Sequence, residues 1–255
     1  MATLPAVDER FDMGRVVSRA FGVILRNIVL FFGLTLTLST LPSLILRVLM
    51  GTPGSTDLGT TYIFAIASIL VAGISGYVLT AALCYATVSD MNGERPTFGK
   101  AFSVGVRFAI PLLLLAIVSI LGFYIGLFLL VVPGIIVGLM WCVAAPAMVT
   151  ENLGVFASLG RSRALTKGWR WQIFGLLLVA FIVVFVPLMI TPLLTGALTD
   201  PTAAARAGFG IADIVQALLS TVASMILIAL LAAIYVELRA VKEGASTESL
   251  ASIFA

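Results

Sequence analysis

The 255-residue sequence contains no histidine. Its absence removes the commonest general base, the commonest nitrogen ligand for a metal and the side chain that titrates nearest neutrality. Cysteine is nearly absent too. Cys84 and Cys142 stand alone inside apolar runs, which suits small packed hydrophobes and supplies neither a disulfide framework nor a metal-ligand set. Charge is the third shortage: 11% of residues are charged and 61% hydrophobic, where soluble domains carry about 25% charged residues. No cofactor, metal or catalytic group is expected from this composition.

What the sequence has instead is long neutral stretches. Asn27–Leu46, Leu58–Ser89, Phe108–Thr150, Trp171–Thr199 and Ile214–Val236 carry no charge over 20, 32, 43, 29 and 23 residues. About 20 consecutive apolar residues suffice for a helix that crosses a bilayer. The sequence therefore predicts a polytopic membrane protein and excludes a soluble enzyme, a disordered chain and a secreted disulfide scaffold.

Drawn as one helix, the 43-residue run would reach about 65 Å. That is twice the ~30 Å hydrocarbon core, so it must fold back. The turn is expected at Val132-Pro133-Gly134, because proline disfavours helix in the preceding residue and glycine accepts turn conformations. The expected fold is all-α: one membrane domain over 1–255, an amphipathic segment over 1–27, six spans near 28–49, 61–88, 108–131, 134–150, 172–195 and 213–237, and a tail over 238–255.

The positive-inside rule supports six spans. With a cytoplasmic N-terminus, thirteen of the fifteen basic residues fall inside, leaving Arg47 and Arg206 outside. A single span through the long run would split them eight against seven. Both termini are thus expected in the cytoplasm. This topology accounts for the net charge of +3, and nucleic acid is not expected as a partner. No cleavable leader is expected, because Asp8, Glu9 and Asp12 stand among the N-terminal arginines.

Basic amphipathic segments precede three of the spans. Arg15, Arg19 and Arg26 line one face of 13–26 opposite Val16, Ala20 and Ile24, with Asp8 or Asp12 as cap. Lys100, Ser103 and Arg107 form a shorter stripe. Arg163 and Lys167 share a face of a third segment, for which Asn152 is the expected N-cap and Gly168 the end. Within the spans, Gly122/Gly126 and Gly134/Gly138 form GxxxG pairs suited to close helix packing, within the chain or between copies. Charges are absent from mid-span, which argues against ion or proton coupling.

The most distinctive local sequence runs from Val132-Pro133-Gly134-Ile135-Ile136 through Pro146-Ala147-Met148-Val149-Thr150-Glu151 to Arg161-Ser162-Arg163-Ala164-Leu165-Thr166-Lys167-Gly168-Trp169-Arg170-Trp171. It resembles the glycerophosphoryl diester phosphodiesterase membrane-domain family and the related YciC-like bacterial inner-membrane proteins. The resemblance implies a multi-pass protein of the bacterial cytoplasmic (inner) membrane. Relatives can carry a separate phosphodiesterase domain that uses histidine and carboxylates, whereas this chain has no histidine. Hydrolysis by this chain is not expected.

Glu151, Arg161 and Arg163 are close enough in sequence to clamp an interfacial helix against the end of span 4. Alternatively, Arg161, Arg163, Lys167 and Arg170, with the indoles of Trp169 and Trp171, form a head-group site for anionic phospholipid. The leading expectation is a non-enzymatic accessory or scaffold protein that binds lipid, a protein partner or a second copy at the cytoplasmic face. The rival is a channel or transporter for a neutral or lipidic solute, suggested by prolines in the spans and by the hydroxyls of Thr35, Thr37, Ser39, Thr40 and Ser43.

Overall fold

A computed structural model describes residues 11–42, 45, 58–198 and 211–253. Arg10, Arg47 and Arg206, Asp8, Ser43, the connections at 46–57 and 199–210 and the last two residues lie outside them. The described residues form helices and turns, with no strand. In hydrocarbon each backbone N–H and C=O needs an internal partner, and a helix provides one locally. Ile66–Met91, Phe98–Leu129, Val131–Glu151, Arg170–Thr191 and Ile214–Glu243 are long and apolar enough to cross a membrane. The bent pair Met13–Arg26 and Ile28–Thr40 makes a sixth if counted as one crossing. The chain is an all-α polytopic bundle, as its charge-free runs predict.

Asp12 starts α1 (Met13–Arg26): its Oδ1 accepts from the Gly14 and Arg15 N–H groups at 2.8 and 3.2 Å, filling two of the orphan donors of a helix N-terminus. After Asn27 the chain turns by 83° into α2 (Ile28–Thr35), which continues as a π-helical turn at Leu36–Thr40. Asn27 pins the corner, since its Nδ2 donates to the Val23 carbonyl at 3.2 Å and to Asp90 Oδ1 at 2.7 Å. Val16, Ala20, Val23 and Ile24 form the buried face of α1.

Next come α3 (Leu58–Met91) and α4 (Phe98–Leu129). Lys100, Ser103 and Arg107 do not form a separate interfacial helix. They belong to the first turns of α4, because nothing between Thr97 and Pro111 breaks the helix. The following turn also differs from expectation. It lies at Leu130, which is extended at φ −169° and ψ 151°, and Pro133 sits in the first turn of α5 (Val131–Trp141), where its missing N–H removes no helical bond. The paired glycines then meet across this hairpin. A methyl group on Gly134 would lie 2.9 Å from the Leu127 nitrogen, and one on Gly122 would lie 2.2 Å from the Trp141 ring. Both GxxxG pairs thus serve packing inside the chain.

The fourth span is broken after Trp141 and resumes as α6 (Ala144–Glu151). Pro146 has no N–H for the Cys142 carbonyl, which is the local cause. Asn152 does not cap the next helix. It closes α6 in the left-handed conformation (φ 51°) while the Leu153 N–H bonds the Met148 carbonyl at 3.2 Å, an arrangement asparagine tolerates better than most residues. Gly154 instead precedes α7 (Val155–Thr166). Gly168, at φ +98°, turns the chain into α8 (Arg170–Leu198), and α9 (Ile211–Ile253) carries the last span on through most of the expected tail.

The centre of the bundle is α9. It packs against α1, α2, α3, α6, α7 and α8, and its Ala229, Ala232, Ala233, Ile234, Tyr235 and Leu238 are buried.

Candidate functional site at the charged end of the bundle

Four carboxylates organise one end of the bundle. Glu237 of α9, with a side chain only 2% exposed, accepts from Arg19 Nη1 on Oε2 at 2.8 Å and forms an ion pair through Oε1 with Arg15, whose Nε is 2.8 Å away. The basic stripe of α1 thus reaches acids of the same chain from a partly exposed face, although its periodicity reads equally well as a surface for head groups. Asp90, at the end of α3, receives Arg26 Nη2 at 2.6 Å beside the Asn27 contact. The third, Glu151, closes α6: Arg161 Nε donates to its two oxygens at 2.9 and 3.0 Å, and the Tyr235 hydroxyl donates to Oε1 at 2.6 Å.

Arg161 also bonds Glu243 through Nη2, and Glu243 is held in turn by Arg239 Nε at 2.6 Å. Burial works against the charge on Arg161, but the Glu243 and Glu151 carboxylates outweigh it and raise its pKa above the ordinary arginine value. Backbone groups complete the joint. Ser162 Oγ donates at 2.7 Å to the Met140 carbonyl at the break in the fourth span, and Lys242 Nζ donates to the Ala164 carbonyl.

The expected clamp thus exists for Glu151 and Arg161 but excludes Arg163. Arg163 is exposed and has no ion-pair partner among the described residues. Two residues past Arg161 on a helix is a rotation of about 200°, which carries its side chain to the opposite face. Lys167 is exposed as well, and Arg170 is half-buried with Nε shielded from solvent and without a hydrogen-bond partner. These two cations lie within electrostatic reach of Lys242. Among the described residues, no carboxylate pairs with any of the three. Trp169 packs on Phe11 with ring centroids 6.2 Å apart, and Trp171 stands edge-on to Phe174 and 81% exposed.

Asp90, Tyr235, Glu237, Arg239, Lys242 and Glu243 are the site residues that sequence reasoning missed. The available signal was acidity: Asp90 and Glu237 directly follow apolar runs, and Glu243 stands beside Arg239 and Lys242. Among the described residues, no group of three or more metal-ligating side chains gathers. No family model, curated protein or solved structure matches the chain.

Proposed function

We propose that this is a non-enzymatic, multi-pass protein of the bacterial cytoplasmic (inner) membrane, with both termini in the cytoplasm. Its charged end holds anionic phospholipid and acts as an accessory or scaffolding surface. The observation that carries this reading is the sorting of the cations. Arg15, Arg19, Arg26, Arg161 and Arg239 each pair with an acid of the same chain, whereas Lys167, Arg170 and Lys242 have no carboxylate partner among the described residues, and Arg170 stands between Trp169 and Trp171 in the sequence. Such an unbalanced cluster is stabilised by an anion, and tryptophan favours the interface where phospholipid head groups lie. Membership of the glycerophosphoryl diester phosphodiesterase membrane-domain family is part of this proposal, without that name's chemistry.

Three of the hydroxyls that suggested transport are engaged elsewhere, which disfavours that reading. Thr35 and Thr37 donate to the Phe31 and Gly33 carbonyls at 2.8 and 2.7 Å, and Thr40 meets Thr221 at 2.8 Å in a buried contact with α9.

The test is native mass spectrometry of the full chain released from membranes containing phosphatidylglycerol. Each basic group near anionic lipid contributes about 1 kcal/mol, so the triple substitution Lys167→Ala, Arg170→Ala, Lys242→Ala should lower phosphatidylglycerol retention about a hundredfold, and Arg163→Ala alone about fivefold. Arg161→Ala should act mainly on stability. Wild-type retention in the triple variant would defeat the proposal.

A further inference from the structure

A second site lies at the same end, where α4 meets α3 and α6. A pocket of about 370 Å³ opens between the ends of α3, α4 and α6, and both Glu94 and Arg107 line it. The Arg107 guanidinium lies 5.7 Å from the centre of the Phe108 ring, and its Nη2 is 3.5 Å from Asn152 Oδ1. Glu94 accepts from Ser89 Oγ at 3.1 Å. Among the described residues neither charge has an ion-pair partner, although both line one cavity. A ligand with a single charge would serve one of them and repel the other. We propose that this pocket receives a head group carrying phosphate and ammonium together, the phosphate on Arg107 and the ammonium on Glu94, presented by a zwitterionic membrane phospholipid.

Depth and surface favour a lipid over a solute. Arg107 precedes Leu129 by 22 residues of unbroken helix, about 33 Å at 1.5 Å per residue. That matches the ~30 Å hydrocarbon core, which puts Arg107 at head-group level when Leu129 reaches the far boundary. From Arg107 toward Leu129, Ile110, Leu114, Ile117 and Leu121 recur at helical spacing and are 46–72% exposed, a continuous apolar track for an acyl chain. Pro111 adds a local acceptor, because it has no N–H to give the Arg107 carbonyl four residues earlier. The left-handed Asn152, φ 51°, is the other polar group beside the guanidinium.

The test uses the full chain in detergent, stripped of lipid, and measures binding of dihexanoyl phosphatidylethanolamine, dihexanoyl phosphatidylglycerol and free phosphoethanolamine. Arg107→Ala should weaken phosphatidylethanolamine binding at least tenfold. Glu94→Gln, at an exposed position where glutamine can still accept from Ser89, should weaken it several-fold and leave phosphatidylglycerol unchanged. Lipid binding without phosphoethanolamine binding supports the phospholipid source. Equal binding of both supports the same charge recognition with a soluble phosphate ester as the source. Wild-type phosphatidylethanolamine binding in Arg107→Ala, or an unchanged preference between the two lipids in Glu94→Gln, would overturn the proposal. The Lys167, Arg170, Lys242 triple variant should leave this binding intact, so the two lipid sites can fail separately.

Discussion

Glu237→Ala should destabilise the protein by about 2–4 kcal/mol. The substitution removes the acid from a buried site and leaves two cations facing a cavity, the situation in which a broken ion pair costs most. The value lies toward the lower end for buried pairs, because the Arg15 and Arg19 side chains are 31% and 41% exposed and can regain water. In detergent the melting temperature should fall by about 5–10 °C, and tryptic cleavage after Arg15 and Arg19 should accelerate as α1 comes away. The Asp90–Arg26 pair is a built-in comparison. Its arginine side chain is 63% exposed, so Arg26→Ala should shift stability by about 1 kcal/mol or less. Equal effects at the two sites would contradict the view that α1 is held chiefly through Glu237.

The second large effect belongs to Gly105, where α4 crosses α3. A methyl group there would stand 2.6 Å from the Val78 carbonyl oxygen, 3.0 Å from Val78 Cγ1 and 3.3 Å from Ala82 Cβ. The nearest obstacle is helix backbone, which cannot swing aside as a side chain can. Gly105→Ala should therefore cost about 1–3 kcal/mol, and Gly105→Leu should prevent the two helices from closing. Gly99, six residues earlier on the same helix, has nothing within 4 Å of the corresponding position. Size-exclusion profiles from matched membrane extracts should show Gly99→Leu near the wild-type monodisperse peak and Gly105→Leu largely lost to aggregate. Comparable profiles would show that the helices do not approach as closely as described.

The bundle was legible in the sequence because spanning a bilayer demands length and apolarity, and both are properties of a single segment. Features that depend on two segments were not. The break after Trp141 could have been suspected from Pro146, but its partner, Ser162 on the Met140 carbonyl, comes from another helix. The position of the α4–α5 turn depended on whether proline ends one helix or begins the next, and local sequence allows both. Glu151 and Arg161 could be paired on paper because ten residues separate them. Tyr235 and Glu151 are 84 residues apart, and Arg19 and Glu237 are 218 apart, so no local pattern joins them. The same long-range contacts changed the meaning of the α1 stripe: its arginines, though partly exposed, are held by acids of the same chain.

On this reading anionic lipid meets the unpaired cations at the α7–α8 junction and not the paired arginines of α1. Photocrosslinking tests it directly, with the full chain in nanodiscs containing a phosphatidylglycerol whose head group carries a photoactivatable label. Peptide mapping should place the adducts on the segment from Lys167 to Trp171 and near Lys242. Adducts concentrated on Arg15 and Arg19, or spread evenly over the charged end, would contradict it.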